Sequence, residues 1–287
     1  METWIIWAII SVFTGWFFHF LSKVTAERNY DSNRVNYISY IFCTVFMWAL
    51  LTIQGNFFPW DDFGLILMIA VWNIVFYSSS FMTRVHAMRH IDTVVFYPLY
   101  KTFWPIFVTC ISILLFKESL SPKEVLGIMV WITVPLLLIT KKENQIQNSL
   151  YIWVLMVVIT SILTSISIIM PKLVQELSLD ISVFLFLNFL FWIPFSYLLS
   201  KLRKSQKNKS YETKGIYTFS ALMWFINIIA FYTFIKAMEW NLAVAFTINS
   251  FAILIPIILS IIFYGEHFNL KKWIVIALSI VSILLFI

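Results

Sequence analysis

Residues 81–118 read FMTRVHAMRHIDTVVFYPLYKTFWPIFVTCISILLFKE, and the chain repeats part of this pattern 150 residues later. At that offset Phe81, Thr83, Ala87, Met88 and Phe96 fall on Phe231, Thr233, Ala237, Met238 and Phe246. After a two-residue deletion the register resumes at an offset of 148, where Ser112, Phe116, Glu118 and Lys123 meet Ser260, Tyr264, Glu266 and Lys271. A proline interrupts the apolar run between these anchors in both copies, Pro105 in one and Pro256 in the other. Self-similarity at a fixed distance decides the architecture before any single element does, because each copy builds one structural unit. The copies are residues 1–140 and 149–287.

The composition says where such units fold. Of 287 residues 61% are hydrophobic and 12% charged, and the mean hydropathy is +0.88. That leaves too little polar surface for a water-soluble domain, whereas a bilayer accepts apolar side chains on the outside of helices. With six glycines and eight prolines the chain is not loop-rich. Cys43 and Cys110 both lie in apolar runs and read as packing residues rather than a disulfide. The formal charge of +6 gathers at the ends of apolar segments, which is the distribution of membrane-protein loops and not of a nucleic-acid-binding face.

Apolar stretches long enough to span about 30 Å of hydrocarbon at about 1.5 Å per residue are expected at 4–22, 35–54, 63–83, 93–116 and 122–140 in the first copy. The second copy supplies 150–170, 181–200, 215–235, 243–264 and 270–287. The first stretch follows Met1 and Glu2 without a basic region or a small-residue cleavage site, so it reads as a retained span. Ser121, Pro122 and Glu124 form a helix start: serine as N-cap, proline at the first helical position, glutamate closing a capping box. Five spans per copy is an odd number, so the second copy enters the membrane from the opposite side. The fold class is therefore all-α integral membrane, ten transmembrane helices in two five-helix inverted-topology repeats.

Loops on one side of this arrangement hold 15 of the 20 lysines and arginines. The other side holds Lys117, Lys123, Lys172 and Lys236, and Lys101 falls within a span. Positive loops stay in the cytoplasm, so the charge count places both termini outside the cell, in a multi-pass protein of the plasma (inner) membrane.

With two five-helix copies, an Ala-Met pair after the third helix (Ala87 and Met88, Ala237 and Met238), a proline within the fourth and a glutamate between the fourth and fifth (Glu118, Glu266), the chain resembles the drug/metabolite transporter superfamily, in particular its EamA-like members. The resemblance covers nearly the whole length and lies in repeat and spacing. It implies a central cavity lined by helices 1, 3 and 4 and their counterparts 6, 8 and 9, and alternating access by rocking of the halves. Known solutes of the superfamily include amino acids, nucleotide sugars, sugar phosphates, choline and drugs. Many members keep both termini in the cytoplasm, the reverse of the charge count here. The small multidrug branch exchanges protons for cations through a membrane glutamate. All 14 acidic residues of this chain lie in loops or near helix ends, so that mechanism is disfavoured.

Lys101 is the exception in an uncharged interior. It lies about 10 Å into a hydrocarbon layer whose midplane is at about 15 Å, with Tyr97 and Trp104 four and three residues away on the same helical face. A lysine there costs on the order of 3 kcal/mol. It either snorkels or bonds the carbonyls freed by Pro98 and Pro105, or it faces the cavity and holds an anionic part of a solute; phosphate-translocating relatives use cavity lysines in the latter way. Asn73, Tyr77, Asn227, Trp224 and Asn249 complete the candidate solute-binding set. Asn249 stands where the first copy has Lys101, and Asn227 falls opposite Tyr77. Buried amides serve equally well as interhelical bonds, and Trp16 and Trp72 add further rings. His86, His90 and Asp92 have metal-like spacing but read as an interfacial cluster. No catalytic residue, cofactor or metal is expected. The expected partners are a small-molecule solute and the lipid bilayer, with no nucleic acid, in a monomer or homodimer. The function that follows is transport of a small polar metabolite, an amino acid, organic acid or similar and possibly anionic. The competing reading is a membrane enzyme or assembly factor acting on lipid-linked substrates, which would need reactive groups collected near one interface.

Overall fold

The computed structural model describes residues 3–27, 32–55, 62–87, 93–137, 150–202, 215–251 and 270–286. They form helices α1 (Thr3–Glu27), α2 (Ser32–Gln54), α3 (Phe63–Ala87), α4 (Thr93–Phe116), α5 (Pro122–Leu137), α6 (Leu150–Glu176), α7 (Ile181–Leu202), α8 (Ile216–Met238), α9 (Leu242–Ser250) and α10 (Leu270–Phe286). Each begins within a few residues of an expected span. The remainder of the ninth span, and Glu266 with it, lies outside the described residues. Among the described residues six helices, α2, α3, α4, α6, α7 and α8, are long and apolar enough to cross a bilayer. Leu114 and Leu115 are 77% and 67% exposed at the end of α4, an arrangement suited to lipid and unfavourable in water. The chain is a multi-pass membrane protein.

Local chemistry sets several helix ends. At α5 the expected capping box is present: Glu124 N–H donates to Ser121 Oγ at 3.3 Å, and Ser121 N–H donates to Glu124 Oε2 at 2.7 Å. Lys117 closes α4 in the left-handed region at φ 52°, and the amide of Glu118 returns to the Ser112 carbonyl. That turn places the Glu118 carboxylate at the start of α9, where both oxygens accept from Leu242 N–H at 3.0 Å. Asn241 caps the same helix, accepting from Val244 N–H at 3.0 Å. A carboxylate on the first turn interacts favourably with the helix dipole and satisfies an amide that would otherwise be buried without a partner. α6 does not stop at 170. It carries Pro171 in its interior and continues to Glu176, where Lys172, 5% exposed, pairs with Glu176 at 3.0 Å across one turn.

The packing divides into two compact units, each drawing on both copies of the repeat. The first comprises Met1–Ile9, Val75–Ile169 and Lys236–Ile287, the second Ile10–Ile74 and Met170–Ile235. In the first, α5 packs on α10 and α4 on α9. Ser282 Oγ donates to the Gly127 carbonyl at 2.8 Å, and buried Trp131 meets Phe251 edge-on at 4.2 Å. In the second, α2 packs on α7, with Tyr37 against Tyr197 at 5.8 Å and Tyr40 stacked on Trp192 at 5.4 Å. Leu21, Val35, Ile38, Ile216 and Met223 form its apolar core. Lipid gives apolar surfaces little reason to leave it, so close packing and interhelical hydrogen bonds hold such units together. In all three pairs a helix meets the one five places later, and the early part of one contacts the late part of the other.

Candidate functional site

Within the first unit, α4 presents Phe96, Tyr100 and Trp104 at intervals of four residues, which puts three rings on one face. They form a column: Phe96 stacks on Tyr100 at 5.7 Å and Tyr100 on Trp104 at 5.1 Å. Phe246 of α9 closes the column, edge-on to Trp104 at 4.3 Å. Two cations stand on these rings. The Lys101 ammonium is 4.4 Å from the Trp104 ring centroid, and the Arg84 guanidinium is 5.0 Å from the Tyr100 centroid. The two charges are close enough to repel each other.

A chain of hydroxyls fixes the column against α6. Arg84 Nη2 donates to Tyr100 Oη at 3.1 Å, Tyr100 donates to Thr164 Oγ1 at 3.0 Å, and Thr164 donates to the Thr160 carbonyl at 2.8 Å. Ser80 of α3 shares a hydrogen bond with Thr164, and Ser165 Oγ reaches the Trp104 carbonyl at 3.4 Å. Tyr100, Ser80 and Thr164 are all buried, so each finds its partner inside the protein, as a polar group in a membrane must.

Lys101 itself is half-buried. Among the described residues its ammonium pairs with no carboxylate and bonds none of the carbonyls freed by Pro98 and Pro105. A desolvated cation–π contact contributes about 2 kcal/mol, against a cost of about 3 kcal/mol for a lysine inside the membrane. The ring alone leaves the charge under-compensated by about 1 kcal/mol on these scales, and the like-charged Arg84 adds to the deficit.

The other expected site residues divide between the units. Tyr77 and Asn249 fall in the first, both half-buried, and the Tyr97 side chain lies outside the described residues. Asn73, Trp224 and Asn227 fall in the second. There Asn73 Nδ2 donates to Asn188 Oδ1 at 3.0 Å, both amides being buried. Asn227 hydrogen-bonds the Cys43 thiol. Trp224 rests on Phe42 and Phe46 at 6.4 and 5.3 Å, and Trp72 is 50% exposed. Asn73 and Asn227 thus bond neighbouring helices. His86, His90 and Asp92 lie outside the residues whose side chains are described.

Sequence reasoning missed Arg84 and Tyr100. Arg84 reads as the start of a basic loop, yet α3 runs on to Ala87, and its last turn delivers the guanidinium to α4. The aromatic period at Phe96, Tyr100 and Trp104 is the signal that finds Tyr100.

The sequence model of the EamA-like transporter family matches residues 2–140 and again residues 151–287. The chain belongs to the EamA-like transporter family. Two matches over nearly the whole length agree with the internal repeat and with membership of the drug/metabolite transporter superfamily, whose EamA-like members are transporters. No curated protein matches the chain. A crystal structure of another protein aligns at a TM-score of 0.73 and 13% identity, over 98% of this chain and 94% of that one. At that identity the likeness establishes a shared fold over nearly the whole of both chains, and nothing of the solute.

Proposed function

We propose that this EamA-like protein is a secondary transporter of a small, polar, anionic metabolite, working by alternating access through a central cavity between its two repeats. The observation that carries the anionic part is the Lys101 ammonium on the Trp104 ring, 4.4 Å from its centroid, under-compensated on a membrane helix. An anionic solute group arriving there supplies a charge-assisted hydrogen bond that none of the described residues supplies, contributing about 1.5–3 kcal/mol.

The helix contacts support ten crossings and an inverted second repeat. Glu118, after α4, bonds Leu242, at the start of α9, so those two helix ends lie on one face. Four helices, α5 to α8, intervene, and four crossings return the chain to that face. Counterpart helices then run in opposite directions, in keeping with the Ser282–Gly127 and Tyr37–Tyr197 contacts. The positive-inside bias supports a plasma-membrane protein with both termini outside.

Purified protein in liposomes, screened by uptake and counterflow against organic acids, phosphate esters, amino acids and choline, tests this reading. Saturable uptake of an anion is expected. Uptake confined to cationic or neutral solutes would refute the anionic assignment.

A further inference from the structure

We propose that Trp104 touches the solute directly, and that the group bound beside Lys101 is an oxyanion bridging the lysine ammonium and the Trp104 indole N–H. The inference rests on the reading that Lys101 meets the solute, and it adds a second donor and an acceptor geometry to it. Trp104 is half-buried, and its indole Nε1 is covered and has no hydrogen-bond partner among the described residues. The Lys101 ammonium lies over the same ring, 4.4 Å from its centroid. A buried indole N–H ordinarily finds a partner, and in hydrocarbon a donor without one is costly. Stacking and space-filling require no N–H, since phenylalanine supplies both.

The ring is held from three sides. Tyr100 stacks on it at 5.1 Å, Phe246 of α9 meets it edge-on at 4.3 Å, and Ser165 Oγ of α6 reaches the Trp104 carbonyl at 3.4 Å. The ammonium stands over the ring face, whereas the indole N–H points outward in the ring plane. Because that nitrogen belongs to the ring on which the ammonium sits, both donors are within reach of one acceptor group.

Trp131 of α5 supplies the comparison. Its Nε1 is also buried without a hydrogen-bond partner, and Phe251 meets it edge-on at 4.2 Å. An aromatic face is a weak acceptor for N–H, and it suffices where the indole only packs. The two tryptophans differ in the cation, since among the described residues none lies on the Trp131 ring. A group that answers both donors at Trp104 carries negative charge and two oxygens on one atom, one for the ammonium and one for the N–H. Carboxylates and phosphoryl groups share this chemistry, while an amide or hydroxyl brings no countercharge. Reaching the covered nitrogen requires the ring or a neighbour to shift, and the bond gained on binding favours the shifted state.

The test uses the whole protein in detergent or nanodiscs, with butyrate and glycerol phosphate as radiolabelled probes in equilibrium binding. Benzothienylalanine, which keeps the bicyclic aromatic face and exchanges the N–H for sulfur, is placed at position 104 and, as a control, at position 131. At least one anion is expected to bind wild type, and whichever binds identifies the carboxylate or phosphoryl source. The change at 104 should weaken that binding about tenfold or more, the equivalent of a lost hydrogen bond to a charged group. The melting temperature should hold or rise, because an unpaired buried donor has been removed. The change at 131 should alter affinity by less than twofold. In wild-type protein isotope-labelled at the indole nitrogens, the bound anion should move one N–H resonance, and the same anion should leave it in place in Lys101→Met. That measurement keeps the test decisive if the altered protein does not fold. Unchanged affinity at 104, an equal loss at 131, indole resonances that stay in place, or binding of neither anion overturns the proposal. A loss in Lys101→Met with none at 104 ends this inference and leaves the lysine reading standing, and undiminished binding in both ends that reading as well.

Discussion

The Lys101 ammonium stands 4.4 Å from the centroid of the Trp104 ring, one turn further along α4. If the ring offsets the charge, the two residues are energetically coupled. Trp104→Leu should lower thermal stability more in the wild-type background than in Lys101→Met. A double-mutant cycle is expected to give a coupling of about 1–2 kcal/mol. Additive effects within about 0.3 kcal/mol would mean that the ring does not hold the ammonium.

Glu118 and Asn241 satisfy different amides at the start of α9, Leu242 and Val244. Asn241→Ala should cost about 1 kcal/mol of stability. Glu118→Gln, which keeps shape and loses charge, should cost between about 0.3 and 2 kcal/mol, the range for a charge at a helix terminus. Because the bonds are separate, the double variant should lie near the sum. Melting curves on the four proteins decide, and a Glu118→Gln protein as stable as wild type would show that the carboxylate's charge is not used there.

For Asn73 and Asn188 the expectation is structural. Asn73→Leu strands a buried amide on α7 and should destabilise the protein by about 0.6–1.7 kcal/mol. The Asn73→Leu, Asn188→Leu double variant should recover much of that loss, since replacing both partners removes the unsatisfied group. Transport should survive in the double variant. Its loss with stability intact would make the amides part of the solute path.

A reporter active only in the cytoplasm, fused after Ile287, should stay silent if both termini are outside. Activity would reverse the orientation and make 201–214 an outside basic loop. The relation between the repeats is independent of that result: helices α1–α5 should superpose on α6–α10 about an axis in the membrane plane, with Ala87 on Ala237.

The fold was legible in this sequence because helix positions in a membrane follow from local hydropathy, and the 81–118 repeat needs only a comparison of the chain with itself. The capping box at Ser121 and Glu124 is equally local, and the bonds are present. Helix ends were less legible. The sixth span was expected to end at 170, but α6 runs on through Pro171 to Glu176, since a bundle can satisfy the backbone groups a proline releases. Of the candidate site, Lys101 and Trp104 could be paired from their spacing on one helix. Arg84 could not, because its partner Tyr100 is 16 residues away, and that contact depends on how α3 and α4 pack. Asn73 and Asn227 illustrate the converse: their types and depths suit a solute site, and only their neighbours, Asn188 and Cys43, show interhelical bonding.

The central claim is that the Lys101 charge is kept for the solute and not for the fold. The most direct measurement is uptake of the transported anion by Lys101→Met in liposomes, with the melting temperature taken on the same preparation. Methionine keeps the stem and removes the charge, so the fold should persist, at equal or higher stability. Uptake at sub-saturating solute should fall about ten- to a hundredfold, the equivalent of a lost charge-assisted hydrogen bond. Undiminished uptake in a protein of raised stability would contradict the claim and leave Lys101 a tolerated charge with no part in transport.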